Sequence, residues 1–174
     1  HSLPYLERMR DRALLCCVDT SWKVLQRCGI EPHLVMVLDA QKHSVRHFSG
    51  TRAGGAMLLA DMVSAPGVLD AFQGLRIIST TSKYYNDFDG TLCRETTPFV
   101  DWLERRVTSP GDVQSGGSVA TSLFDFLLNC GCSEIILVGQ DLAYTGREIH
   151  CSGTHHNDDW QLLTSRFRGL DTIN

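Results

Sequence analysis

Short apolar runs alternate along the chain with stretches that have a helical pattern. Residues 13–18 and 34–38 are continuously apolar, as strands buried on both faces are. Between them, residues 22–28 have a helical pattern that Gly29 closes. This succession of strand, helix and strand predicts a parallel sheet with helices on both faces, an α/β fold.

The run at residues 56–63 fits a helix or a strand, because short apolar runs are ambiguous. Ser64 and Pro66 open a new helix that extends through residue 72, so we interpret the preceding run as a strand. The remaining predicted elements are a strand at 75–79, a long polar loop or lid at 80–97, helices at 98–107 and 118–129 with a loop at 108–116 between them, a strand at 134–138 and a closing helix at 160–170.

Ligands of such sheets bind beyond the carboxyl ends of the strands. This rule selects a small set of polar candidates for a site. They are Asp19, Thr20, Asp39, residues 79–82 and residues 139–141.

Composition narrows the function classes. The 174 residues are 43% hydrophobic, enough to bury a core, and the net charge of −4 argues against a general nucleic-acid binder, although a local basic cleft stays open. No apolar run approaches the ~20 residues of a membrane helix. The seven cysteines form no C-x-x-C pair, and we expect reduced core cysteines and a cytoplasmic location without a signal peptide.

Gly116 and Gly117 precede a predicted helix whose first turn contains Ser118, Thr121 and Ser122. Glycines let backbone approach a ligand closely, and a helix N-terminus suits phosphate. A plain turn with a serine N-cap explains the same residues. Local spacing does not decide between this turn and a phosphate site.

The predicted strand at 134–138 delivers Gln140 and Asp141 to its carboxyl end, and Tyr144 follows. A buried carboxylate needs partners, so we favour a functional role for Asp141 over a local turn cap.

Three histidines, His150, His155 and His156, lie within seven residues. They would bind a metal or supply a base with a pKa near neutrality. A solvated loop is the better interpretation of any single histidine, whereas the cluster favours a site.

Acidic residues in two other places have several interpretations. Asp39 follows a very apolar strand and suits a ribose hydroxyl acceptor, a metal ligand or a helix cap. Asp87 and Asp89 have the spacing of a D-x-D metal clip, but we favour turn formers because no strand precedes them.

Several of these segments together resemble the motility accessory factor family of flagellin glycosyltransferases. The resemblance extends over most of the chain and rests on residues 18–20, 29–32, 38–39, 116–122 and 137–146 and on His150. It implies a single Rossmann-like, nucleotide-sugar-binding domain over residues 1–174, similar to bacterial sialyltransferases.

The implied activity is transfer of a nonulosonic, sialic-acid-like sugar from a CMP-sugar to Ser or Thr of flagellin, in a motility-associated protein. His150 would be the base, with His155 and His156 as replacements, and Tyr144 would donate a hydrogen bond to the leaving phosphate. Asp141 would be a further catalytic residue that orders the nucleotide or sugar hydroxyls. Donor binding would fall to Asp19, Thr20, Asp39, Gly116, Gly117, Ser118, Thr121, Gln140, His155 and His156.

The resemblance implies no tightly bound metal. From charge and hydropathy we expect no nucleic-acid or membrane partner, and a homo-oligomer stays open. His1, Ser2 and Leu3 look like the tail of the family's glycine loop, with His in place of Pro. We therefore expect a fragment of a longer protein that lacks the first strand of the sheet.

Two alternatives stay open. A related archaeal branch resembles hydroxymethyl-dihydropterin pyrophosphokinase, which uses ATP and Mg²⁺; Asp39, Asp89 and Asp141 would then hold the ion. A non-catalytic flagellar assembly module is the second alternative.

Overall fold

A parallel sheet forms the centre of the protein. The computed structural model describes residues 2–140, 153–154, 159 and 162–166. The strands are β1 (Cys16–Val18), β2 (Leu34–Val37), β3 (Met57–Asp61), β4 (Leu75–Ser82), β5 (Tyr84–Asn86), β6 (Leu92–Arg94) and β7 (Asp112–Gln114). The helices are α1 (Leu3–Met9), α2 (Asp19–Arg27), α3 (Pro66–Ala71), α4 (Pro98–Arg106) and α5 (Val119–Asn129), with a 3₁₀ helix at Lys42–His47.

Five strands pair in the order β1-β2-β3-β4-β7, and all are parallel. The helix that follows β1 and the elements that follow β2 and β3 cover one face of the sheet, and α5 covers the other. The predicted α/β class and its Rossmann-like layering are confirmed. No helix within the described residues is long and apolar enough to cross a membrane.

An aromatic cluster fills the first face. Trp22 of α2 packs against Phe48 and Phe72, with ring centroids 6.4 Å and 5.9 Å away, and the two phenylalanine rings also contact each other. All three side chains are buried, and the Trp22 indole N–H donates to Thr51 Oγ1 at 2.9 Å. A tryptophan is tolerated in such a core because its one polar atom has a partner.

The second face is aliphatic. Leu123 of α5 packs against Met36, Leu59 and Val113, which come from three different strands. Side chains alternate across a strand, so Leu58 and Ala60 face the aromatic side while Leu59 faces α5. The same alternation places Asp61, the last residue of β3, on the α5 side.

The fifth strand of the sheet is β7, which differs from the prediction. The sequence predicts a strand at residues 134–138, but these residues form none, and Ile136 is 82% exposed. An apolar run indicates burial, whereas a strand also needs a neighbour to pair with. Instead β7 pairs with β4 inside the predicted loop 108–116, with Val113 opposite Thr81.

Other boundaries also differ. The predicted loop 80–97 contains the rest of β4 and the antiparallel pair β5–β6, in which Tyr84 lies opposite Arg94. Cys17 is buried as expected, but Cys28 and Cys130 are exposed, so the core role predicted for them is wrong. In the described part of the predicted closing helix 160–170, residues 162–163 are helical but residues 164–166 are not, and the other residues of that prediction lie outside the described residues.

Candidate functional site

Three carboxylates lie at the carboxyl ends of neighbouring strands. Asp19 directly follows β1, Asp39 follows β2, and Asp61 ends β3. Because parallel strands end at one edge of the sheet, all three belong to the edge where ligands of such sheets bind. The sequence predicted Asp19 and Asp39 but missed Asp61, because the predicted strand continued to residue 63.

Asp19 is a buried acid at the start of α2. It is only 4% exposed, and its Oδ1 accepts the Thr20 backbone N–H at 2.8 Å. Burial raises the pKa of Asp19 from 3.8 to about 6, and the negative charge of Asp39 adds to this rise. Thr20 thus contributes its amide to the site, and the role of its hydroxyl toward a ligand stays a prediction.

Asp39 holds the turn that leads into the 3₁₀ helix. Its Oδ1 accepts the Gln41 N–H at 2.9 Å, and its Oδ2 accepts the Ser44 hydroxyl at 2.8 Å. Partial burial raises its pKa, but these two hydrogen bonds and the nearby His43 outweigh burial, so the pKa is lowered overall. The cap interpretation of Asp39 fits these contacts, and ligand binding by its exposed part stays a prediction.

Asp61 is tied to the neighbouring strand β4. Its Oδ1 accepts the Val63 N–H at 2.8 Å, and its Oδ2 accepts the hydroxyl of Thr81. Asp61 is 4% exposed, whereas Thr81 is half-buried and closer to the edge of the sheet. Polar side chains at two adjacent strand ends thus meet on the α5 side.

The glycine turn before α5 has an intramolecular reason for each glycine. Gly117 has a φ of +86°, a backbone conformation that L side chains rarely adopt. A β-carbon on Gly116 would stand 2.5 Å from Thr121 Oγ1. Ser118 is the N-cap and accepts the Thr121 N–H at 3.2 Å, as the cap interpretation predicted.

That turn also leaves donors for a ligand. Within the described residues, the first-turn amides of Val119 and Ala120 have no intrahelical acceptor, as at any helix N-terminus. Gly116, Gly117 and Ser118 are exposed. Phosphate binding by this turn is compatible with its geometry and stays a prediction.

The polar residues at the carboxyl edge of the sheet lie on two different faces. Asp39 bonds to the 3₁₀ helix, which packs against α2, while Asp61 faces α5 and its glycine turn. Gln140 is exposed. Five further predicted site residues lie outside the described residues: Asp141, Tyr144, His150, His155 and His156.

The structure supports the turn interpretation of the D-x-D segment. Asp89 Oδ1 accepts the Thr91 N–H at 2.9 Å, and the Gly90 N–H donates to the Asp87 carbonyl at 2.9 Å. Across residues 2–140 and the shorter described segments, no group of three or more histidine, cysteine or acidic side chains is arranged to hold a metal ion.

A second polar cluster, missed by the sequence, joins the β5–β6 pair to the sheet. The Tyr84 hydroxyl donates to Asp112 Oδ2 at 2.6 Å, which raises the pKa of Tyr84 to about 12. Arg94 Nη2 lies 2.6 Å from Asp101 Oδ1 and 3.3 Å from Glu104 Oε2. The sequence did not indicate this cluster, because Tyr84, Arg94 and Asp112 lie in the predicted loops 80–97 and 108–116, and their contacts join segments that are distant in the sequence.

Two cavities lie at the opposite end of the sheet. One of about 450 Å³ is lined by residues that include Leu14 and His33, which precede β1 and β2. The other, of about 350 Å³, is lined by Lys23, Arg27 and Arg52 among others. Neither contains the strand-end carboxylates.

Comparison with known proteins identifies the family of this chain. The family described as 6-hydroxymethylpterin diphosphokinase MptE-like matches residues 1–147. An uncharacterized protein of Treponema pallidum (strain Nichols) is 26% identical over 150 residues, which are 82% of this chain and 36% of that protein. The match thus spans little more than a third of that relative, and no solved structure matches the chain. The chain belongs to the MptE-like family.

Proposed function

We propose that this domain is a transferase that uses a nucleotide-activated donor, and that it transfers a nonulosonic sugar from CMP to Ser or Thr of flagellin. One observation carries the proposal: buried carboxylates and the glycine turn of α5 converge on the carboxyl edge of a parallel sheet. Membership in a family described by a diphosphokinase supports a phosphorylated donor.

The glycine turn supplies the phosphate end of this proposed site. The free amides of Val119 and Ala120 and the positive end of the α5 dipole favour a phosphate there. The exposed backbone at Gly117 leaves room for close approach, because a β-carbon there would meet nothing within 4 Å.

The chemistry is displacement at the anomeric carbon. The bond from that carbon to the phosphate oxygen breaks, and a bond to the acceptor hydroxyl oxygen forms. A base takes the hydroxyl proton, the CMP phosphate leaves as an anion, and a hydrogen-bond donor stabilises that anion. His150 is the proposed base, His155 or His156 its replacement, and Tyr144 the proposed donor.

The second candidate is a Mg²⁺- and ATP-dependent pyrophosphokinase, the kind of enzyme that the family description names. In this protein Asp39 already bonds to Gln41 and Ser44, and Asp89 lies in the exposed turn between β5 and β6. A Mg²⁺ site would therefore need Asp141 and a rearrangement of the Asp39 contacts. A non-catalytic flagellar assembly module is the third candidate.

Calorimetric titration of the full-length protein with CMP and with ATP, each with and without Mg²⁺, tests the proposal. Metal-independent CMP binding supports the glycosyltransferase, and Mg²⁺-dependent ATP binding supports the pyrophosphokinase. Binding of neither nucleotide overturns both and favours the assembly module. Wild-type transfer by His150→Ala would refute the assignment of the base.

A matched pair of glycine variants locates the phosphate. Gly117 and Gly111 both have positive φ, +86° and +73°, and a β-carbon at either would meet no atom within 4 Å. Both alanine variants therefore carry a similar backbone strain. Nucleotide binding weakened about tenfold in Gly117→Ala but unchanged in Gly111→Ala would place the phosphate at this turn.

A further inference from the structure

We propose that Asp61 and Ser79 form a subsite that binds a ribose hydroxyl of the nucleotide donor. The inference rests on the proposed function, since it names the part of the donor that these two residues recognise. The sequence analysis missed Asp61 and selected Ser79 only as one of the strand-end candidates 79–82, with no ligand assigned to it.

Asp61 and Ser79 are direct neighbours across two strands. They are register partners in the parallel pair β3–β4. Register partners on adjacent strands lie ~4.8 Å apart and project to the same face. The Thr81 hydroxyl, two positions further along β4, donates to the Asp61 carboxylate, which confirms the shared face.

Ser79 brings a hydroxyl without a partner. Its side chain is only 6% exposed, and its Oγ has no hydrogen bond in the described structure. Buried polar atoms in folded proteins nearly always have a partner, so an orphan hydroxyl beside a carboxylate indicates a missing group. The missing group would accept a hydrogen bond from Ser79.

Asp61 offers the complementary acceptor. Each of its oxygens accepts one described hydrogen bond, from the Val63 amide and from Thr81. A carboxylate has about four lone-pair sites, so each oxygen has capacity for one more donor. A hydroxyl that donates to Asp61 and accepts from Ser79 satisfies both residues, and this is the chemistry of an alcohol.

The position suits the sugar of a nucleotide. Two strand spacings, ~10 Å, separate β3 from β7, which leads into the glycine turn before α5. A phosphate at that turn and a ribose at Asp61 would lie on the same side of the sheet. Asp39 is less suited, because it bonds to the 3₁₀ helix on the other side.

The test compares nucleotides that differ by one hydroxyl. CMP, 2′-deoxy-CMP and 3′-deoxy-CMP are titrated into the full-length wild-type protein and into Ser79→Ala and Asp61→Asn. We expect one deoxy nucleotide to bind wild type about tenfold more weakly than CMP. Both variants should bind CMP about as weakly and should no longer distinguish that deoxy nucleotide from CMP.

Ser79→Ala keeps the test independent of folding. The change removes a hydroxyl that has no intramolecular partner among the described residues, so the variant should unfold at the wild-type temperature or above. Asp70→Asn, an exposed change on α3, is the control for a lost carboxylate and should keep full discrimination.

The outcomes separate the two proposals. Equal binding of all three nucleotides by wild type would overturn the subsite and leave the proposed function standing. Discrimination retained in Ser79→Ala and Asp61→Asn would also overturn the subsite. If ATP binds instead of CMP, the same comparison is made with ATP and its deoxy forms, whereas no nucleotide binding at all overturns both proposals.

Discussion

Thr121 Oγ1 lies 2.5 Å from the position that a β-carbon on Gly116 would occupy. The same hydroxyl donates to the Ser118 carbonyl at 2.7 Å and so closes the first turn of α5. Gly116 is therefore required by the packing of the cap, whether or not a ligand binds nearby.

Gly116→Ala should destabilise the protein by about 1–3 kcal/mol, the usual cost of overpacking. The added carbon would meet the Thr121 β-carbon and hydroxyl, and neither is the far end of a flexible side chain. Gly55→Ala is the control, because a β-carbon at that position would meet no atom within 4 Å. Denaturant unfolding measures both, and equal stability of the two variants would contradict the packing argument.

Asp19 should make stability depend on pH. Its pKa is raised by burial to about 6 in the folded protein, so the native state binds the proton more tightly than the unfolded chain. Its contribution to the free energy of unfolding therefore falls as the pH rises from about 4 to about 6 and is constant above. The full effect of such a shift is about 3 kcal/mol.

Asp19→Asn isolates this effect, since the amide mimics the protonated acid and its oxygen still accepts the Thr20 N–H. The free energy of unfolding of the variant minus that of wild type should be larger at about pH 7.5 than at about pH 4.5. Urea unfolding at both values measures this. A stability difference that is the same at both pH values would show that Asp19 does not titrate as described.

The strand-end rule recovered only part of the site from the sequence. It found Asp19 and Asp39 because each follows a continuous apolar run. It missed Asp61 because the apolar Met62 and Val63 continue the run past the end of β3, where Asp61 bonds to Val63. A strand ends where its pairing ends, and pairing is a property of two segments.

The same reason explains the strands that were missed or misplaced. β7 contains a single apolar residue, Val113. It forms a strand because it pairs with β4, a segment that is distant from it in the sequence. Residues 134–138 are apolar throughout most of their length but have no described strand partner. Four helices, α2 to α5, were predicted close to their observed bounds, because caps such as Ser118 and an early Pro98 are local signals. The sequence analysis missed α1 and the 3₁₀ helix.

Arg94 should hold β6 to α4. Its guanidinium contacts Asp101 and Glu104 and lies 3.9 Å from Asp112 Oδ2. Arg94→Met would leave these half-buried carboxylates facing one another and should destabilise the protein by about 1–3 kcal/mol. Hydrogen exchange of the β5–β6 amides should accelerate more than exchange in β2.

Arg105→Met, an exposed change on α4, is the control for the Arg94→Met experiment. It should leave exchange in β5–β6 at the wild-type rate. If Arg94→Met and Arg105→Met behave alike, the Arg94 cluster does not anchor the pair.

Thr51→Val should destabilise the aromatic core by about 1–3 kcal/mol, because it leaves a buried donor unpaired. The Trp22 indole N–H donates to Thr51 Oγ1, and Trp22 has no exposed surface. Chemical unfolding measures the loss. Ser49→Ala, which removes an exposed hydroxyl bonded to the Val45 carbonyl, is the control and should change stability by at most about 0.5 kcal/mol.

The order β1-β2-β3-β4 of the sheet matches the order of these strands along the chain. Each strand from β2 to β4 pairs with the strand synthesised before it, so that partner has already left the ribosome when the new strand emerges. Short sequence separation between paired strands also favours rapid folding. The strands β1 to β4 are thus suited to pair one after another during translation, and β7 and α5 would join them after β4.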